Sequence, residues 1–186
     1  MEGSMMKGVW KAYRLFHYLK LIGIWISGIA VVAMMLLIVY DVMMRTLFSS
    51  SIRGGFEIIQ NYMMPLVVFP GLAYVYSSGV LPKMDLLLDR FGAGMQKVII
   101  LLMILLELFV LVLIVQFSWA YAMDGLEREI AFPAAGTLYP LYPFFFLIPI
   151  AFGMIVIENL FILIRNILEK KPSLLMEEPK GPVEDL

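Results

Sequence analysis

The sequence predicts an all-α membrane protein: four transmembrane helices with short amphipathic helices at the membrane surface. Of 186 residues, 62% are hydrophobic and 16% charged, whereas a soluble domain carries about 25% charged residues. Four stretches, 21–43, 57–78, 97–123 and 141–164, each hold enough apolar residues to cross the hydrocarbon, which takes roughly 20 residues at about 1.5 Å each. Within their apolar cores, 21–40, 58–78, 98–123 and 141–164, only Glu107 and Glu158 carry a charge. Finally, 11 of the 14 Lys and Arg residues lie on segments that four spans would place on one side.

That asymmetry sets the expected orientation, because cytoplasmic flanks collect Lys and Arg. Lys7, Lys11, Arg14, Lys20, Lys83, Arg90, Lys97, Arg165, Lys170, Lys171 and Lys180 share one side, against Arg45, Arg53 and Arg128 on the other. Both termini are therefore expected in the cytoplasm, in a cytoplasmic (inner) membrane. The first apolar stretch is longer than a signal-peptide core and no small-x-small cleavage site follows it, so it is expected to remain as a helix.

Residues 1–20 form a basic segment. Lys7, Lys11 and Arg14 on one stripe and Trp10, Tyr13 and Phe16 on another suit a short helix at an anionic headgroup surface, or a basic flank that orients span one. In span one, Gly23, Ser27, Ala30 and Ala33 offer a small-residue face for another helix. At its far end Asp41 and Arg45 stand at i, i+4, close enough to pair; Glu57 offers Arg45 a second partner across the short connection. Span two carries Gln60, Asn61, Pro65 and Pro70. Each interior proline frees a carbonyl that, in lipid, must find a protein partner, so span two is either a kinked packing helix or a broken helix at a substrate site.

Between spans two and three, Met84, Leu87, Leu88 and Phe91 follow i, i+3, i+4, i+7 among Lys83, Asp85, Asp89 and Arg90. This predicts a short interfacial helix over 82–92, or a ledge for a partner. The connection 124–140 holds Asp124, Glu127, Arg128 and Glu129, then Pro133, Gly136 and Pro140. Residues 169–186, rich in Pro and acidic residues, are too poor in apolar content to fold alone.

Few residues of the chain suggest chemistry. Zero cysteines exclude disulfides and thiolate metal sites. His17 is the single histidine, so a haem held by two histidines of this chain is excluded. Gly92-Ala-Gly94 has Lys97 where a dinucleotide loop needs its third glycine, and no Walker A sequence is present. No cofactor, metal, catalytic residue or nucleic-acid partner is expected. Glu107, deep in span three, must face protein, be protonated or have a partner, since a mid-helix charge costs roughly 2.5–3.5 kcal/mol. It reads either as a hydrogen-bonder between helices or as a coupling-ion ligand. Glu158 reads as lying close enough to the cytoplasmic end to reach the interface or Arg165.

Three motifs carry a family resemblance. They are Val42-Met-Met-Arg45-Thr-Leu-Phe48 with Glu57 following, Pro82-Lys83-Met-Asp85-Leu-Leu-Leu-Asp89-Arg90-Phe91, and Phe146-Leu-Ile-Pro149-Ile-Ala-Phe-Gly153. Together, over about residues 20 to 168, they resemble the small membrane subunit, or Q-type component, of tripartite ATP-independent periplasmic (TRAP) transporters. The resemblance implies a secondary transporter importing organic acids with an ion gradient, usually sodium, and an extracytoplasmic substrate-binding protein. It implies too that a large multi-span membrane subunit holds substrate and ions while the small one braces it. Asp41, Arg45, Glu57, Lys83, Asp85, Asp89, Arg90, Glu107 and Pro149 are then structural or subunit-interface candidates. Two alternatives stay open: an autonomous homo-oligomeric transporter using Glu107, and the membrane anchor of a redox complex.

Overall fold

A computed structural model describes residues 2–78 and 93–168. Helix α1 runs from Glu2 to Phe48 without a break. After a bend come the single turn α2 (Gly55–Ile58), a π-helical turn (Ile59–Met63) and α3 (Met64–Ser77). Helix α4 (Ala93–Glu127) is followed by strands β1 (Ala131–Ala134) and β2 (Thr137–Pro140), the turn α5 (Tyr142–Phe145) and α6 (Leu147–Leu168). Among the described residues, four helical segments are long and apolar enough to span a membrane. The predicted interfacial helix 82–92, with Lys83, Asp85, Asp89 and Arg90, and the tail 169–186 lie outside the described residues.

The sequence reading sets residues 7–20 apart as a surface segment, but the structure draws no boundary at residue 20. Nothing between Lys20 and Leu21 breaks a helix, so α1 continues for 47 residues, about 70 Å at roughly 1.5 Å per residue. Tyr13 and Phe16, expected at a headgroup surface, are buried. Both rings pack against Phe161 of α6, at centroid distances of 5.6 and 6.0 Å.

Helix α1 packs on α3, α3 on α6, and α6 on α4. At the α1–α3 crossing, a Cβ on Gly23 would collide with the Pro70 carbonyl, and one on Gly71 would come within 2.9 Å of Ser27 Oγ. Small residues on both helices therefore set how closely the backbones approach. The same crossing answers the proline problem. Pro70 cannot donate to the Leu66 carbonyl, and Ser27 Oγ donates to it instead at 3.5 Å. Upstream, the π-turn precedes Pro65, where a widened turn accommodates the ring that a regular helix would press against a carbonyl. Pro149 falls in the first turn of α6, where no backbone donor is needed, and is buried there.

The hairpin is absent from the sequence reading, which leaves 124–140 as a connection. Its strands pair Phe132 with Tyr139 and Ala134 with Thr137. The two-residue turn places Ala135 at φ 52 and Gly136 at φ 84, the primed geometry that matches strand twist. Pro133 and Pro140 mask this strand pair in the sequence, since proline argues against sheet interiors. Tyr62 of the π-turn clamps the hairpin: its hydroxyl donates to the Pro140 carbonyl at 2.7 Å, and its ring stacks on Phe144 and meets Phe132 edge-on. Gly54, at φ 77, lies so near Ala134 and Ala135 that a side chain there would strike their backbone, so the two connections at this end touch.

Candidate functional site

Six polar side chains of the bundle meet at the end of α3 remote from the hairpin. Here Tyr76, the penultimate residue of α3, meets α1, α4 and α6. The first half of this node is a closed ring. Lys20 Nζ donates to Glu158 Oε2 at 2.8 Å and to the Tyr13 hydroxyl at 3.2 Å, and Tyr13 donates to Glu158 Oε1 at 2.9 Å. The ammonium also sits over the rings of Tyr13 and Phe16, at 4.7 and 5.4 Å, a placement that a cation favours. Lys20 and Glu158 are 0% and 1% exposed.

This corrects two expectations. Glu158 does not reach out toward the membrane surface or turn to Arg165 as its partner, because α6 extends to Leu168 and buries it mid-helix opposite Lys20. Lys20, read only as a flanking charge, is among the most deeply buried side chains of the bundle. A buried charge is tolerable only when paired and hydrogen-bonded, and each of these residues meets that need for the other.

The second half is centred on Tyr76. Its hydroxyl lies 2.7 Å from Glu107 Oε1 of α4 and 3.1 Å from Asn159 Oδ1 of α6. Glu107 thus faces a protein partner, one of the resolutions its depth demands. Asn159 is 1% exposed, and its Nδ2 has no hydrogen-bond partner. Because Glu158 and Asn159 are consecutive, the halves join into one node drawing on all four spans. Beneath it Tyr13, Ile100, Ile104 and Ile162 form an apolar cluster against which Tyr76 packs. Sequence reasoning missed Tyr13, Tyr76 and Asn159 as partners. The available signal was the consecutive pair Glu158-Asn159 inside an apolar span, which requires facing polar groups.

At the hairpin end the predicted residues arrange differently. Asp41 Oδ2 accepts from Arg45 Nη2 at 2.9 Å, and Asp41 Oδ1 accepts the Ile52 amide at 2.7 Å, folding the connection back onto α1. Arg45 is 69% exposed and bridges to Asp41, not to Glu57, which lies half-buried in α2. Asp124 and Arg128 make a similar exposed pair at 2.8 Å. His17 is half-buried, its ring 6.3 Å from Tyr74. Among the described residues no three His, Asp or Glu side chains converge to hold a metal ion.

Elsewhere, α1 and α4 present broad apolar faces, including Trp25, Leu36, Leu102 and Phe117. A groove of about 600 Å³ is lined by α1 alone, among others by Trp25, Gly28, Val32 and Leu36, and carries no charged group. Long apolar helices fastened by an internal polar node define a multi-pass membrane protein whose buried ionisable groups bind one another. The family model described as "Tripartite ATP-independent periplasmic transporters, DctQ component" matches residues 34–170. With well over half of its length matched, the chain belongs to this family and is a small subunit of a TRAP transporter, not an enzyme. No curated protein and no solved structure matches it. Tyr13 and Lys20 precede the matched residues, whereas Tyr76, Glu107, Glu158 and Asn159 lie within them.

Proposed function

We propose that this chain braces a large multi-span membrane subunit, which imports organic acids such as dicarboxylates or sugar acids on an ion gradient, usually sodium. An extracytoplasmic binding protein delivers the substrate. The observation that carries the bracing role is the fate of the intramembrane charges. Lys20, Glu158 and Glu107 are all engaged by side chains of neighbouring helices. A transport site for an organic acid requires cationic or donor groups opening onto a cavity.

In this reading the protein lies in the cytoplasmic membrane with both termini inside, as its Lys and Arg distribution favours. The hairpin and the Asp41–Arg45 corner then face outward, where the binding protein arrives. The exposed apolar faces of α1 and α4 meet lipid and the large subunit.

Extraction of the chain from its native membrane in mild detergent tests this. A stoichiometric partner of many spans is expected to co-purify, and vesicles holding this chain alone are expected to show no gradient-driven uptake. Uptake by the isolated chain would overturn the bracing role and return Glu107 to consideration as a coupling carboxylate.

A further inference from the structure

The Tyr76 half of the node does not balance in hydrogens. A tyrosine hydroxyl carries one hydrogen, yet Tyr76 has two acceptors within reach, Glu107 Oε1 at 2.7 Å and Asn159 Oδ1 at 3.1 Å. It can donate to only one of them. The other contact then sets two lone-pair-bearing oxygens against each other in a site where Asn159 is 1% exposed. A few ångströms away the same amide holds a donor, Nδ2, with no partner at all. A surplus acceptor and a surplus donor therefore belong to one side chain.

Two arrangements supply the missing hydrogen. Glu107 can carry a proton and donate to Tyr76, which leaves Asn159 Nδ2 unpaired. Alternatively, the amide can present its nitrogen to Tyr76. The two ends of an amide have nearly the same shape, so a half-turn about the terminal bond exchanges acceptor for donor without moving a neighbour. This second arrangement adds no proton and finds an acceptor for one of the two hydrogens on the orphaned Nδ2. It leaves one N–H and the carbonyl oxygen without a partner where the first leaves both N–H groups, and an underused carbonyl is the more tolerable deficit in a buried site.

We propose that Asn159 is the positioning residue of this half-node: its Nδ2 donates to the Tyr76 hydroxyl, committing the one hydroxyl hydrogen to Glu107. The hydrogen bonds then run in one direction, from α6 through α3 to α4. Asn159 acts through Tyr76 and makes no contact with a transported solute. The assignment concerns this chain's own bonding and stands apart from the bracing role.

The test uses the full chain in its transporter complex, in lipid nanodiscs. Infrared difference spectra of the protein against its Glu107→Gln variant are expected to show carboxylate bands at this site. Loss of a protonated carboxylic-acid carbonyl band in the variant would overturn the assignment. The second arm replaces Asn159 with Leu, which removes the donor and keeps a similar volume. With no donor left to commit the Tyr76 hydroxyl, the Asn159→Leu protein is expected to show shifted Glu107 carboxylate bands. Carboxylate bands unchanged by Asn159→Leu would also overturn the assignment.

Discussion

On one side of the node Lys20, Tyr13 and Glu158 close a ring in which donors at least match acceptors. On the other, Tyr76 stands between Glu107 and Asn159 with one hydrogen for two oxygens. Each half has a tyrosine linking a carboxylate to a second polar residue, and the halves touch at consecutive positions of α6. What separates them is the ammonium. Three hydrogens and a full charge make the first half self-sufficient, whereas the second depends on how an amide is turned. The first is therefore costly to break and indifferent to small changes of geometry; the second costs less to break but is directional.

Removing one charge of the closed ring should have the largest effect. Lys20→Ala or Glu158→Ala leaves its partner buried and unpaired, at a cost of about 3–5 kcal/mol. Thermal unfolding in detergent should show a large loss for each single variant. A double replacement by apolar residues, Lys20→Met with Glu158→Leu, should recover most of it. If the double variant is no better than the singles, the two residues are not acting as a pair.

Next comes Tyr76→Phe, which leaves Glu107 and Asn159 without the hydroxyl between them, at about 1–3 kcal/mol. Tyr13→Phe should cost less, because the direct contact of Lys20 with Glu158 survives it. Equal melting losses for the two would erase the contrast between the halves. A smaller effect is expected at the exposed corner, where Arg45→Ala should cost folding less than about 1 kcal/mol. Its influence should be read instead in co-purification with the large subunit, with substrate affinity unchanged. The smallest is Glu107→Gln, whose amide still accepts from Tyr76. Gradient-driven uptake by the assembled transporter should be largely kept, and its abolition despite normal assembly would assign Glu107 a part in transport.

The four spans were legible because lipid imposes a length and a composition that no other segment meets. Glu107 announced its need for a partner by its depth alone, and the paired prolines announced a freed carbonyl that Ser27 helps to satisfy. The identity of the partners was not legible. Lys20 stands at the boundary of an apolar run, where a lysine is ordinarily a flanking charge that reaches water, and only the placement of α6 shows it turned inward. Glu158 is misplaced for a related reason: hydropathy falls after Ile164 and marks an apparent end of the span, although α6 continues to Leu168. The hairpin was hidden by its prolines, and its turn rests on Ala135, a residue that seldom announces positive φ.

The closed ring also bears on how the chain is made. Lys20 and Glu158 are 138 residues apart, so at ~5–20 residues per second of synthesis the lysine waits on the order of ten seconds for its carboxylate. Until span four is made, Glu158 cannot offset that charge, and of the ring only the Tyr13 hydroxyl of its own helix is at hand.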